Sequence, residues 1–458
     1  MDKVGGQSAS ALNYIVYTPP AAGSETQAQG LTPELWHGQI QQLVSLFDSA
    51  PGAPLEQPKP VSRPQHSWKK SPIPEVPHRH GKVLAHDTFL KLDQYPFLRE
   101  KPEVEGAPHY REAGEGIHGV AQPTVDGIKA VLEKAGCGPG GSSKKPAIWT
   151  NLREEPVIYV NGQPLNLRSV KAPGFNQEHP GRTAAEVEKL EKQLKADILE
   201  EIKRNGNKLV VHDEEGSPPN VRVVPHEIEV KSVQTVEEVY TDLAKKGGYK
   251  VEFHRVPVTD TKKPTDQDID DLVKSLKDAD PEQPLIFNCH AGEGRTTTGM
   301  VLSSMLRRAK TGEEKSVLKD KALRADVKEQ GEHNPRNYRG LLQCLKDAKK
   351  LSGGSQEEAD QVIERYNKFH DLKKSVGKAR KASETERLED DRIENLQHAK
   401  DYLDRYHTIL SFEQYAQDQA PDFKMTYSQW KKKHPEVEQN LERVQVALLN
   451  RQGASNLA

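Results

Sequence analysis

An α/β fold with a central, mainly parallel sheet between helices is what the middle of this sequence predicts. A helical, highly charged C-terminal subregion follows it, and a Pro-rich leader that composition predicts to be disordered precedes it. Three observations carry the prediction. Short apolar runs alternate with amphipathic helical stripes from about Lys82 to Lys310. The stripes open on capping signals, and two of them close on Asn205-Gly206 and Gly247-Gly248. Hydrophobic residues make up only 34% of the 458 residues, against about 45–50% in an ordinary globular chain, so one core does not fill the whole length.

The elements follow in order. Residues 1–81 are rich in Pro, Ala, Gly, Ser and Gln, with a single helical pattern at Pro33 to Phe47, and bury too little apolar surface to offset their ordering entropy. Residues 82–310 form the α/β core. Ala147–Thr150 is a strand running into Asn151-Leu152-Arg153-Glu154-Glu155, and Val157–Val160 with Leu165–Leu167 flank Asn161-Gly162 as a hairpin. Thr183 and Glu186 form a capping box before the stripe Val187, Leu190, Leu194, Ile198 and Ile202. Leu209–Val211 is a buried strand, and Thr235 with Glu238 caps the helix carrying Val236, Val239, Tyr240 and Leu243. Tyr249–Val258 is the next strand. An amphipathic helix through Ile269, Leu272, Val273 and Leu276 leads to the apolar strand Leu285–Phe287 and a helix opening at about Thr296. Residues 311–458 read as a helical extension of the same unit, with helical spacing at Leu341–Leu351, Val362–Leu372 and Tyr402–Leu410.

Charge and cysteine content narrow the function classes. A net charge of -2 gives no global attraction to nucleic acid or anionic membrane. The three cysteines, Cys137, Cys289 and Cys344, make no disulfide framework and match no zinc spacing. No run approaches the ~18 apolar residues of a membrane span, and the N-terminus has no hydrophobic signal core. These features point to a cytoplasmic, reducing compartment, with the flexible leader a candidate for export into another cell. No metal and no other cofactor is expected. Oligomeric state stays open.

The chemistry is concentrated in one loop. Cys289-His290-Ala291-Gly292-Glu293-Gly294-Arg295 sits between an apolar strand and a helix and is followed at once by Thr296. A Gly-permitted loop at a helix N-terminus turns successive backbone N–H groups inward as an anion nest, which predicts that residues 290–295 bind phosphate. The same field favours thiolate, so Cys289 is the expected nucleophile. Arg295 can fork onto two phosphate oxygens, and Thr296 is placed to donate its hydroxyl to the departing sulfur. Asp260, at the carboxyl end of the Tyr249–Val258 strand, is the candidate general acid, because such strand ends share one crevice in an open α/β sheet. Cys137 and Cys344 read as structural thiols.

At these residues the sequence resembles the cysteine-dependent phosphatases, and most of all the paladin and protein-tyrosine-phosphatase-like phytase group. The resemblance extends to Trp149–Tyr159, to Tyr249–Pro264 with Asp260 in the general-acid place, and to Tyr110-Arg111 with Gly119–Pro123. It also takes in Leu403–Tyr406 and Ser428–Trp430 with His434-Pro435. It implies a cysteine-phosphatase fold and a metal-independent reaction through phosphocysteine. It favours myo-inositol polyphosphates as substrates, with Arg111 and Arg153 as the basic side chains that receive them. Asn288 stands where many family members carry histidine. Glu293 stands where phosphoinositide phosphatases of the wider class carry a basic residue, which argues against membrane phosphoinositides. Two alternatives remain open: a protein tyrosine or dual-specificity phosphatase, and a catalytically weak, paladin-like binding scaffold.

Overall fold

The computed structural model describes most of residues 77–94, then 102–216 apart from two positions, 222–312, and most of 362–441. The leader expected over 1–81, the pattern at Leu341–Leu351 and Cys344 lie wholly or almost wholly outside the described residues.

The described chain runs β1 (Thr88–Leu92), β2 (Arg111–Glu112), β3 (Ile117–Val120), α1 (Val125–Lys134), β4 (Ala147–Arg153), β5 (Val157–Val160) and β6 (Gln163–Ser169). It continues with α2 (Ala184–Arg204), β7 (Lys208–Glu215), β8 (Arg222–Glu229), β9 (Val233–Thr235), α3 (Val236–Lys245) and β10 (Val251–Val258). The last elements are α4 (Asp266–Leu276), β11 (Leu285–Asn288), α5 (Gly294–Thr311), α6 (Glu389–Gln419) and α7 (Tyr427–Lys433).

The expected central sheet is present in the order β10-β4-β11-β3-β2. Its first four strands are parallel, and β2 closes the edge antiparallel to β3. Strand β4 is buried at every position, as a strand covered by helices on both faces must be. On one face α1 and α3 pack against Trp149, Val120 and Ile286. On the other, α4, α5 and α6 share a single apolar cluster with Ile148, Leu152, Val258 and Phe287. The C-terminal helices therefore complete the core of the sheet.

A second sheet goes beyond what the sequence predicts. The expected hairpin, β5 with β6, is its nucleus, but the full order is β8-β7-β1-β6-β5-β9 and most of its pairings are antiparallel. Strand β7, which contains the expected strand Leu209–Val211, pairs along its whole length with β8 in this second sheet. Helix α2 lays Leu194, Ile198 and Ile202 against this second sheet. The capping boxes at Thr183 and Thr235 form as the sequence predicts, and Thr265 with Asp268 makes another at the head of α4. Each cap is worth about 0.5–2 kcal/mol against alanine.

Candidate active site

The carboxyl ends of the four parallel strands finish almost level. Asn288 lies opposite Val120 and Asn151, and Val258 lies opposite Arg153. The residues that follow them, Ala121-Gln122, Glu154-Glu155, Thr259-Asp260 and Cys289, are thereby delivered to one crevice.

The loop after β11 is held in a tight curve. Gly292 has φ of 72°, and a Cβ there would fall 2.5 Å from the Ala121 nitrogen, so both backbone conformation and space demand glycine. The Gln122 N–H donates to the His290 carbonyl at 2.9 Å, and the Gln94 side chain donates to the same oxygen at 3.1 Å. Cys289 is 3% exposed, and the Thr296 hydroxyl donates to its sulfur at 3.1 Å. Asn288 fills the position beneath it as an uncharged brace. It accepts from Trp149 Nε1 at 2.9 Å and donates to Gln122 and Asn151 at 3.1 and 3.3 Å.

Arg295 is buried and braced from behind. Its Nη1 donates to Glu155 Oε2 at 3.0 Å and to the Val258 carbonyl at 3.2 Å. Its Nε lies 3.3 Å from Asp260 Oδ1 yet has no aligned acceptor. Burial disfavours its charge, but Asp260 and then Glu155 hold it protonated more firmly than usual. The Asp260 side chain is 42% exposed and accepts from the Thr261 N–H at 2.9 Å. Cys289, Thr296, Arg295 and Asp260 are thus brought together.

His290 belongs to the loop by its backbone only. Its ring points into the protein, Nε2 lying 3.0 Å from the Asp93 carbonyl and Nδ1 3.3 Å from Asn176 Nδ2, and burial pushes its pKa down. Ala291 is clasped from outside, its carbonyl 2.8 Å from His109 Nδ1. Glu293 stands at the head of α5 beside His109 and Arg111. Burial, with Asp260 adding to it against the opposing Arg111, pushes its carboxyl up to about 7.

The expectation that Arg111 and Arg153 reach out to substrate is corrected by their placement. Arg153 is fully buried, with Nη1 donating to Asp93 at 2.6 Å and Nε to Glu155 at 3.2 Å. It lies on β4, whose every residue is buried, and its ion pair with Asp93 ties that strand to the residue that follows β1 in the second sheet. Arg111 is 3% exposed and spends its donors on the Gly292 carbonyl at 2.8 Å and the Thr297 hydroxyl at 2.9 Å. Burial lowers its pKa to about 10, which leaves it cationic under the loop at neutral pH. Arg111 thus braces the loop directly, and Arg153 braces it through Glu155 and Arg295.

Sequence reasoning passed over the acidic half of this network. Asp93 and Glu155 are held down to about 2: burial opposes ionisation in both, but Arg153 outweighs it for Asp93 and Arg295 with Arg153 for Glu155. Asp93, Arg153, Glu155 and Arg295 alternate in sign from β1 to the loop. Glu154 performs a separate task, accepting from the Gly181 N–H at 2.6 Å and the Thr259 hydroxyl at 3.2 Å. The available signal was a Glu-Glu pair directly after a strand with no polar face. Among the described residues no group of three or more His, Cys, Asp or Glu is placed to hold a metal ion, and no helix is long and apolar enough to cross a membrane.

Residues 150–307 match the model of a family described as "PTPlike_phytase: Inositol hexakisphosphate". The chain is 26% identical to paladin of Gallus gallus over 381 residues, covering 77% of this chain and 41% of the relative. It is 28% identical to effector protein hopD2 of Pseudomonas syringae pv. tomato over 240 residues, covering 51% of this chain and 44% of that protein. The chain therefore spans about two fifths of the curated relatives it matches. Two solved structures are similar as well. The tandemly repeated protein tyrosine phosphatase like phytase of Mitsuokella multacida matches with a TM-score of 0.49 and 19% identity, over 77% of this chain and 48% of that one. A PTP-like phytase of Bdellovibrio bacteriovorus matches with a TM-score of 0.43 and 18% identity, over 79% of this chain and 96% of that one. In its family model and in its curated relatives, the chain resembles the paladin and protein-tyrosine-phosphatase-like phytase family.

Proposed function

We propose that this chain hydrolyses phosphomonoesters by a metal-independent, two-step cysteine mechanism, with myo-inositol polyphosphates as its substrates. The observation that carries the reading is the Thr296 hydroxyl 3.1 Å from Cys289 Sγ, at the head of a helix whose first turn also presents the braced Arg295. The Cys289 thiolate attacks phosphorus, the P–O bond to the alcohol breaks, and Asp260 gives its proton to the departing oxygen. In the second step the Asp260 carboxylate takes a proton from water, whose oxygen attacks phosphorus. The P–S bond breaks and the Thr296 hydroxyl stabilises the returning thiolate. Throughout, the loop N–H groups and Arg295 meet the charge on the phosphoryl oxygens, so no step calls for a cation. Residues 82–310 serve as the catalytic core, and the described helices of the C-terminal part belong to the same unit, a reading supported by the apolar cluster that α6 shares with the sheet. The choice of inositol polyphosphate rests on the matched family's description.

Phosphate release by the purified protein in EDTA tests this. Inositol hexakisphosphate should be turned over with a higher kcat/KM than a phosphotyrosine peptide, and the chelator should make no difference. Preference for the peptide would make the chain a protein tyrosine phosphatase, and turnover of neither would leave a binding scaffold. Activity lost in EDTA and restored by a divalent metal would overturn the cysteine mechanism.

Glu293 sets an expected pH dependence. With its pKa near 7, the carboxyl is neutral below that pH and leaves the loop field intact. Above it the carboxylate forms inside an anion site and opposes the phosphate. kcat/KM should therefore fall as pH rises through about 7, and Glu293→Gln should sustain activity to higher pH. Identical alkaline limbs in parent and variant would clear Glu293 of this role.

A further inference from the structure

The loop carrying Asp260 is held by more than its own hydrogen bonds, such as that from the Lys262 N–H to the Asp260 carbonyl at 2.7 Å. The Asp260 side chain is 42% exposed, and Thr261 follows it with φ of 60°, a left-handed conformation that a β-branched residue rarely adopts without outside restraint. The restraint comes from far along the chain, on α6. Arg405 Nη2 donates to the Lys262 carbonyl at 2.7 Å, and Asp401 Oδ2 accepts from Lys262 Nζ at 2.7 Å. One helix thus grips Lys262 by its backbone and by its side chain, two residues beyond Asp260. Arg405 also reaches the anion loop, since a Cβ at Gly294 would fall 2.6 Å from its Nη1. Arg405 is 2% exposed, attracted by Asp260 and repelled by Arg295, so it sits between the two loops as a buried cation.

We infer that Arg405 is a positioning residue for the acid step, joining the Asp260 loop to the phosphate loop so that the carboxyl stays over the leaving oxygen. The inference rests on the reading of Asp260 as general acid. Arginine suits the place because its planar fork can hold a carbonyl with one nitrogen while another lies against Gly294, which a lysine ammonium cannot do.

The test separates a positioning role from a general structural one by leaving group. Arg405→Ala and Arg405→Lys are assayed beside Asp260→Asn on an inositol phosphate and on an aryl phosphate whose phenolate departs unaided, with thermal melting as a check on folding. Asp260→Asn should lose about 10²–10⁴-fold in kcat on the alkyl ester and much less on the aryl ester. The Arg405 variants should lose about 10–10²-fold on the alkyl ester with little change in KM, and show the same protection on the aryl ester. Arg405→Ala added to Asp260→Asn should cost almost nothing further, because the group it positions is gone. Equal losses on both esters, or full additivity with Asp260→Asn, would overturn the inference while the cysteine reading stands. If Asp260→Asn itself showed no leaving-group dependence, the acid assignment would fall and the role of Arg405 with it. Should Arg405→Ala not fold, Arg405→Lys carries the same comparison.

Discussion

Replacing Cys289 with serine should remove turnover of every phosphomonoester, with a loss of about 10⁴-fold or more, and leave phosphate binding in place. The scale follows from losing a covalent nucleophile, where single removals in other enzymes have cost on the order of 10⁶-fold. A serine hydroxyl at this position ionises far less readily than a thiol, for which the field of the N–H groups and the helix N-terminus suffices. That field survives the substitution, because the curve of the loop is held by Gly292, by the Gln122 and Gln94 donors and by Arg111. Calorimetric titration with inorganic phosphate and phosphate-release kinetics would measure the two halves separately. Turnover within about 10²-fold of the parent would overturn the covalent mechanism.

Glu155→Gln should damage both stability and catalysis. Glu155 accepts from Arg295 at 3.0 Å and from Arg153 at 3.2 Å, and all three side chains are buried. Removing its charge takes away the carboxylate that two buried guanidinium groups share and leaves Arg153 to Asp93 and Arg295 to Asp260, a loss of up to about 3–5 kcal/mol, that of a broken buried pair. It also frees the catalytic guanidinium to turn, and misplacing one such donor costs about 10²–10³-fold in kcat. The acid side of the stability curve gives a second check. The pKa of Glu155 is depressed to about 2, so its contribution is fully present above the ordinary carboxylate range and is lost as pH falls through about 2. The variant should show a shallower fall in stability on acidification than the parent, with a lower plateau at neutral pH. Unchanged melting together with unchanged kcat would remove Glu155 from the account.

What the sequence made legible was local. The loop from Cys289 to Thr296 declares itself because its glycines, arginine and threonine are neighbours in the chain, and the caps at Thr183 and Thr235 are legible for the same reason. The resemblance to phytases assigns Arg111 and Arg153 to substrate, as basic side chains that would receive inositol polyphosphates. Gly292 and Thr297 for one and Asp93 for the other meet them only through the sheet topology, while Glu155 lies just two residues beyond Arg153. The second sheet escaped notice for a related reason. Strand β8, Arg-Val-Val-Pro-His-Glu-Ile-Glu, is buried at no position and carries no clean alternation, so only its pairing with β7 makes it a strand. Helix α6 shows helical spacing, but nothing in that spacing says that Asp401 and Arg405 would land on a loop after β10.

These long connections have a consequence for the order in which the molecule acquires its properties. His290 meets Asp93 across 197 positions, Arg295 meets Glu155 across 140, and Arg405 meets Lys262 across 143. Closing loops of that length is entropically costly and is rewarded only when the partner elements are already formed. Helices and hairpins can therefore assemble while the phosphate loop still lacks its braces. Competence is expected to wait until the sheet and the C-terminal helix have closed around the loop.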